Sequence, residues 1–467
     1  MYHIAKAFTL ATAARKTLAL CGIAALFAVP SQASVVAYQK VVTTTDKSIN
    51  ENPGYQKVVI CSAGPFTVQS GDLLTAHAQA EVTWAGSAGT DRIMIGCGIV
   101  VATSATAVDS ASAGYIGMVS KFSGNNLCKA KEGAEVATRT GSYQFGAAYS
   151  TVYVNWVHYG QTVPQYTAGP DGIIPAGYAE IVAAIERGVS RYATSTYRQI
   201  PYDTEHYLPI ATTFTPYVQY SYGPLNIPAG SMVDVRFQVQ GSTPTNQGTI
   251  TQRLGRKVIQ TTSTTSTSGT MLNLAIQGGA TSLEHHAAFG SGGGLYFPSA
   301  VSNAYFNSVL WAYGSGTRIK IDTENSTLYG GFAVEVRPYV GYWIDTTRNI
   351  TAADSTQRVL YSVGPINIPA NQLVEVRYQS AYNPTANVAF NSKIVRATTA
   401  TGTTGTEIQR PLWRKFDPSY TYTNAIHSTA ERPASAQTGQ YYNVVVSLPS
   451  GGTLPVMDWG QLEVVFR

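Results

Sequence analysis

The feature that most constrains this chain is a block that occurs three times. Residues 218–238 read VQYSYGPLNIPAGSMVDVRFQ and return at 359–379 as VLYSVGPINIPANQLVEVRYQ. A degenerate copy at 59–79, VICSAGPFTVQSGDLLTAHAQ, keeps Gly64-Pro65, Gly71 and Gln79 in register. It carries Cys61 where the others have Tyr220 and Tyr361, and His77 where they have Arg236 and Arg377. The likeness continues in order along each copy. A Thr/Ser-rich segment follows (101–113, 260–270, 396–406), then an aromatic strand (152–159, 305–313, 441–447), then a closing stretch after glycine (177–181, 331–337, 460–467). A period this long exceeds a solenoid unit and describes whole domains in series.

Within the block, Met232 to Val239 alternates apolar and polar residues, as do Leu373 to Tyr378 and Phe332 to Arg337. That period of two is the signature of a strand with one face on a core. Val233, Val235 and Phe237 are expected to face inward, and Asp234, Arg236 and Gln238 outward. Gly-Pro and Ile-Pro-Ala interrupt the pattern, because proline lacks the ladder donor and glycine accepts positive φ. Ala179 to Arg187 could be read as a helix, but its place in the repeat calls for a strand. The expected fold is all-β: three tandem antiparallel β-sandwiches, jelly-roll-like or immunoglobulin-like.

Residues 1–33 read as a secretory signal: Lys6, Arg15 and Lys16 precede an apolar run from Thr17 to Pro30, and Ser31-Gln32-Ala33 offers a cleavage site. No later stretch is long and apolar enough to span a bilayer as a helix. The expected domains are 34–188, 197–339 and 340–467, with a linker at 189–196. Short linkers predict a stiff rod of three beads.

Charged residues are only 12% of the chain, and the formal charge of +5 falls once the signal is removed. No basic run suits nucleic acid. Of four cysteines, Cys61, Cys97 and Cys128 lie beyond the signal. An exported chain meets an oxidising compartment, so a Cys97–Cys128 disulfide is expected.

Groups that could carry chemistry are sparse. Glu284 and His286 would point the same way on a strand and are the best metal pair, two ligands where a site needs three or four. The run Gly290 to Gly294 reads as a flexible loop and not a phosphate cradle, since no helix N-terminus follows. No nucleophile elbow or cofactor motif stands out, so no cofactor is expected. Arg236 and Arg377 recur beside Asp234 and Glu375, as a repeated binding surface or as ion pairs that blunt sheet edges. His77 and Trp84 mark the divergent first copy as a further place for binding. The sequence therefore points to a secreted or cell-surface protein that binds or assembles. The expected partners are an extracellular protein, a glycan or further copies of itself. Carbohydrate binding through exposed aromatics is the alternative, and a glycan-directed enzyme stands behind it.

Overall fold

The computed structural model describes residues 33–49, 57–84, 92–129, 134–162, 172–194, 207–211, 213–242, 252–279, 286–314, 318–321, 331–348, 355–383, 388–416, 423–448 and 456–467. Residues 1–32 of the signal segment, and Glu284, lie outside them. Among the described residues there are strands and no helix. Every sheet pairing among the described residues is antiparallel except one between Tyr207–Ala211 and Val301–Gly314.

Each copy of the repeat is built on the same pair of four-stranded layers, to which the first copy adds Lys47–Ile49 and Gly172–Ile174 at its inner sheet. The inner layer runs from an opening strand to a closing strand, then a hub strand, then a flanking strand. In the first copy these are Ser34–Val42, Ala179–Arg187, Leu73–Trp84 and Ala134–Gln144. In the second they are Ser190–Thr194, Gly331–Pro338, Ser231–Ser242 and His286–Phe297. In the third they are Gly341–Asp345, Val456–Phe466, Val374–Asn383 and Thr423–Glu431. The outer layer starts with the Gly-Pro strand, Lys57–Val68, Tyr217–Ile227 or Arg358–Ile368. Counting these eight strands along the chain, the first, eighth, third and sixth form one sheet, and the second, seventh, fourth and fifth the other. That order is a jelly roll, two Greek keys folded over one core. In the second copy the two layers are joined through two added strands, Arg318–Ile321 on the hub strand and Tyr207–Ala211 beside it, which gives a 10-stranded sheet.

The alternation read from sequence explains these layers. Val233 and Val235 enter one core with Phe237, Tyr220 and Phe306. Val374, Val376 and Tyr378 enter a second with Tyr361 and Phe466. Leu74, Ala76 and Ala78 enter a third with Trp156. Each fully buried large apolar side chain contributes roughly 1.5–3 kcal/mol, so these cores dominate folding. The glycine of each Gly-Pro pair has φ of +132° (Gly64), +145° (Gly223) or +154° (Gly364). A Cβ there would meet the carbonyl oxygen of Val152, Ala304 or Gln440 at 2.5, 2.5 and 2.6 Å. Only glycine lets the strand pass its neighbour this closely.

Several expectations need revision. Ser190–Thr194, within the expected linker, is the opening strand of the second copy and pairs with Gly331–Pro338. Gly290 to Gly294 is not a loop but part of the strand His286–Phe297. The polar faces of the hub strands, expected to meet water, are buried at Asp234, Arg236, Glu375 and Arg377. They are covered because the inner layers pack against one another, so the copies form a closed cluster and not a rod. The ladder places Cys97 opposite Ser123 and Cys128 opposite Ile93. At about 3.3 Å per residue that offset separates their backbones by roughly 13 Å. A disulfide needs Cα atoms within about 7 Å, so these two cannot pair at this register.

Candidate functional site

The inner layers meet in a buried ionic cluster, and equivalent positions of the repeat supply most of it. The second copy brings Asp234 and Arg236 from its hub strand and Glu335 and Arg337 from its closing strand. The third brings Glu375 and Arg377, then Glu463 and Arg467. The first brings His77 and Glu186. Neighbouring strands align these groups, and period two aims them all away from their own cores.

Contacts cross every boundary. Arg377 donates to Asp234 Oδ1 at 2.8 Å and lies 3.0 Å from Glu463. Arg236 is 3.2 Å from Glu335 in its own sheet, 3.3 Å from Glu375 of the third copy, and donates to Thr140 Oγ1 of the first at 3.2 Å. Arg337 reaches Glu186 at 2.7 Å and Glu335 at 3.0 Å. Arg467 lies 3.1 Å from Asp234 and 3.7 Å from Glu186, and also pairs with Glu375. The imidazole of His77 places Nε2 3.3 Å from Glu375, with Nδ1 2.7 Å from Ser428 Oγ and 2.9 Å from Thr140 Oγ1. Around this centre, Gln379 donates to the Gly292 carbonyl at 2.7 Å, and the Gly294 amide donates to Glu463 at 3.3 Å. The glycine run is thus a strand whose missing side chains leave room for the Val235 and Leu272 carbonyl oxygens of its own copy, while its backbone at Gly292 and Gly294 bonds to the third.

Burial alone would neutralise these carboxylates, and at most of them the guanidiniums win. Burial pushes Asp234 up, but Arg377, Arg467 and Arg337 hold it well below the usual range. Glu375 is likewise opposed by burial and held far down by Arg236, Arg467 and Arg377. Glu463 behaves differently. Its burial outweighs Arg377 and the Gly294 amide, and it is pushed up to about 7. His77 is driven down to about 3 chiefly by burial, with Glu375 pulling it up and Arg236, Arg467 and Arg377 adding to the downward push. It is therefore neutral near pH 7. A buried ion cluster adds little net stability, because desolvation offsets most of the Coulomb gain. Its consequence is geometric: any other docking of the copies would strand several of these charges unpaired.

Among the expected site residues, Arg236, Arg377 and His77 are thus brought together, but sealed inside and not displayed as a binding surface. Trp84 ends the first hub strand opposite Gly172, away from this cluster in register. His286 begins the strand His286–Phe297 opposite Gly241. Its expected partner Glu284 lies outside the described residues. Among the described residues no group of three metal-ligating side chains converges. Trp156 is buried in the first core, and Trp311, largely buried, packs edge-on against the exposed ring of Phe214.

A second recurring device escaped the sequence reading. In each copy a buried asparagine pins the Thr/Ser-rich loop by donating to two of its carbonyls. Asn155 binds Ser104 and Ala107 at 3.0 and 2.8 Å. Asn307 binds Ser263 and Ser266 at 2.9 and 2.8 Å. Asn443 binds Thr399 and Gly402 at 3.0 and 2.8 Å. The serine of each Gly-Pro strand, Ser62, Ser221 or Ser362, donates to the asparagine Oδ1 at 2.7 Å. The signal was present, since both residue types stand at equivalent places in all three copies.

Fold and site together define a class: an all-β chain of jelly-roll layers closed around an internal ionic cluster. No family model matches the chain, and no curated protein matches it. Three solved structures illustrate what it is similar to. One is a crystal structure of the T13 IBDV viral particle, with 11% identity over 94% of this chain and 80% of that chain, TM-score 0.21. Another is a structure of the infectious bursal disease virus Gx strain, with 10% identity over 94% and 81%, TM-score 0.14. The third is the infectious bursal disease virus VP2 subviral particle, with 10% identity over 94% and 83%, TM-score 0.14.

Proposed function

We propose that this chain is an exported structural protein whose three jelly-roll domains, near 34–188, 190–339 and 340–467, are locked into one closed building block for adhesion or surface assembly. The observation that carries this reading is the complete burial of Arg377 and Asp234, a pair that joins the third copy to the second. A protein that keeps its recurring charged groups inside uses them to fix its own shape. Glu375, held far below its ordinary value, and Glu463, pushed up to about 7, both lie fully buried in that closed cluster. That favours architecture over catalysis.

Glycan binding has one observation in its favour. Tyr296 and Tyr339 stand on the surface with ring centroids 4.1 Å apart, 36% and 39% exposed. Paired exposed tyrosines can stack on a sugar ring or anchor a protein partner.

Negative-stain electron microscopy of the mature chain tests the main reading. Compact three-lobed particles that assemble into rings, sheets or filaments as concentration rises would support a building block. Separate three-bead rods would overturn the closed unit, and compact particles that never associate would overturn assembly. Glycan-array binding abolished by Tyr296→Ala would favour the second reading.

A further inference from the structure

The three hub strands place a cation-bearing position at the same point of the repeat. In the second and third copies it is arginine, which stays charged at all ordinary pH. In the first copy it is His77, the residue type whose charge changes near neutrality. His77 is 3% exposed and faces mainly the third copy.

Its surroundings decide what a proton would do there. From its own copy Thr140 approaches on the flanking strand. From the third copy come Glu375 and Arg377 on the hub strand, Ser428 on the strand Thr423–Glu431, and Arg467 after the closing strand. From the second copy comes Arg236. With the ring neutral, Nε2–H donates to Glu375, while a hydroxyl donates to Nδ1. Those hydroxyls could turn to accept from a protonated ring, so hydrogen bonding is not what opposes the proton. Charge opposes it. Glu375 is already shared by Arg236 and Arg467, and a further cation would enter a dry cluster among three guanidiniums. The rest of this seam holds less charge: Gln79 meets Gln409, Thr429 lies 3.4 Å from Glu180, which pairs with Lys40, and Tyr38 donates to the Ala430 carbonyl.

We propose that the seam between the first and third copies is a proton-sensitive latch, which protonation of His77 loosens while the seam between the second and third copies stays closed. The inference rests on the closed three-copy unit proposed above. Acid then opens the cluster at one boundary and leaves each sandwich folded.

The test uses Ala430→Cys in the full mature chain. Ala430 is 2% exposed, on the third copy's side of this seam, and packs with Val182 and Ala184 of the first. Its reaction with a dithiodipyridine is measured from about pH 7.5 to about pH 5 and normalised to a short thiol peptide, with the parent chain as background. One proton taken up on opening should reduce protection by up to about tenfold per pH unit below about 6.5. His77→Gln in the same background should remove that slope. Protection independent of pH in Ala430→Cys, or a slope that survives His77→Gln, overturns the latch. Should His77→Gln fail to fold, the slope in the Ala430→Cys chain decides alone. A thiol already as reactive as the peptide at about pH 7.5 would instead overturn the closed unit itself.

Discussion

Arg377 and Asp234 stand 143 residues apart in the chain, yet the guanidinium donates to the carboxylate at 2.8 Å with both side chains fully buried. The pair joins two copies of the repeat at positions that either copy, taken alone, would show to water.

Removing one partner should be far more damaging than the pair's net worth. Arg377→Leu leaves Asp234 and Glu463 buried without their nearest guanidinium. The expected loss is about 3–5 kcal/mol, read as a shift in the midpoint of denaturant unfolding. Adding Asp234→Asn should restore part of it, since the stranded charge is then gone.

Stability should decline on both sides of a plateau. Glu375, Asp234 and Glu335 are held below their ordinary values, so the stability they contribute is present above roughly pH 4 and lost as pH falls further. Glu463, pushed up to about 7, keeps a proton that the unfolded chain releases near 4.5, so its contribution fades as pH rises through 7. His77, driven down to about 3, acts in the opposite sense to Glu463 and offsets it over roughly pH 4.5 to 6.5. Calorimetric melting across this range checks the shape, and Glu463→Gln should abolish the alkaline decline.

The asparagine pins should behave alike in all three copies. Asn443→Ala strips partners from the Thr399 and Gly402 carbonyls and from Ser362. A cost of about 1–3 kcal/mol is expected, with faster proteolytic cleavage within residues 398–405. Asn307→Ala should do the same within residues 262–269.

Alanine at Gly364 should be poorly tolerated. The position has φ of +154°, and a Cβ would meet the Gln440 carbonyl oxygen at 2.6 Å, a backbone atom that cannot rotate away. Thermal unfolding should show a loss of about 1–3 kcal/mol. Gly71→Ala, where a Cβ meets nothing within 4 Å, should show only the smaller cost of its positive φ.

Much of this architecture could be read directly. Period two in Val233-Asp234-Val235-Arg236 identified a strand and separated its core face from its polar face, because alternate side chains must leave a pleated strand on opposite sides. The repeated Gly-Pro and Ile-Pro-Ala turns fixed where strands end, and repetition required that each copy fold alike. The glycine run at 290–294 misled, because glycine in a strand is disfavoured unless another backbone needs the space. That need arises inside the second copy, where a Cβ at Gly292 or Gly293 would meet the Val235 or Leu272 carbonyl oxygen at 2.5 Å or less.

By itself, the sequence determined the strand content, the two-layered sandwich and its threefold recurrence, since these follow from local sterics and from alternation along a few residues. The tertiary structure alone decided what the polar faces meet. An alternating strand with Asp234 and Arg236 on one face is equally suited to water and to a matching charged face. Only the approach of Glu375, Arg467 and Glu186 from other copies made that face an interior, because only pairing at that approach repays the desolvation of so many charges.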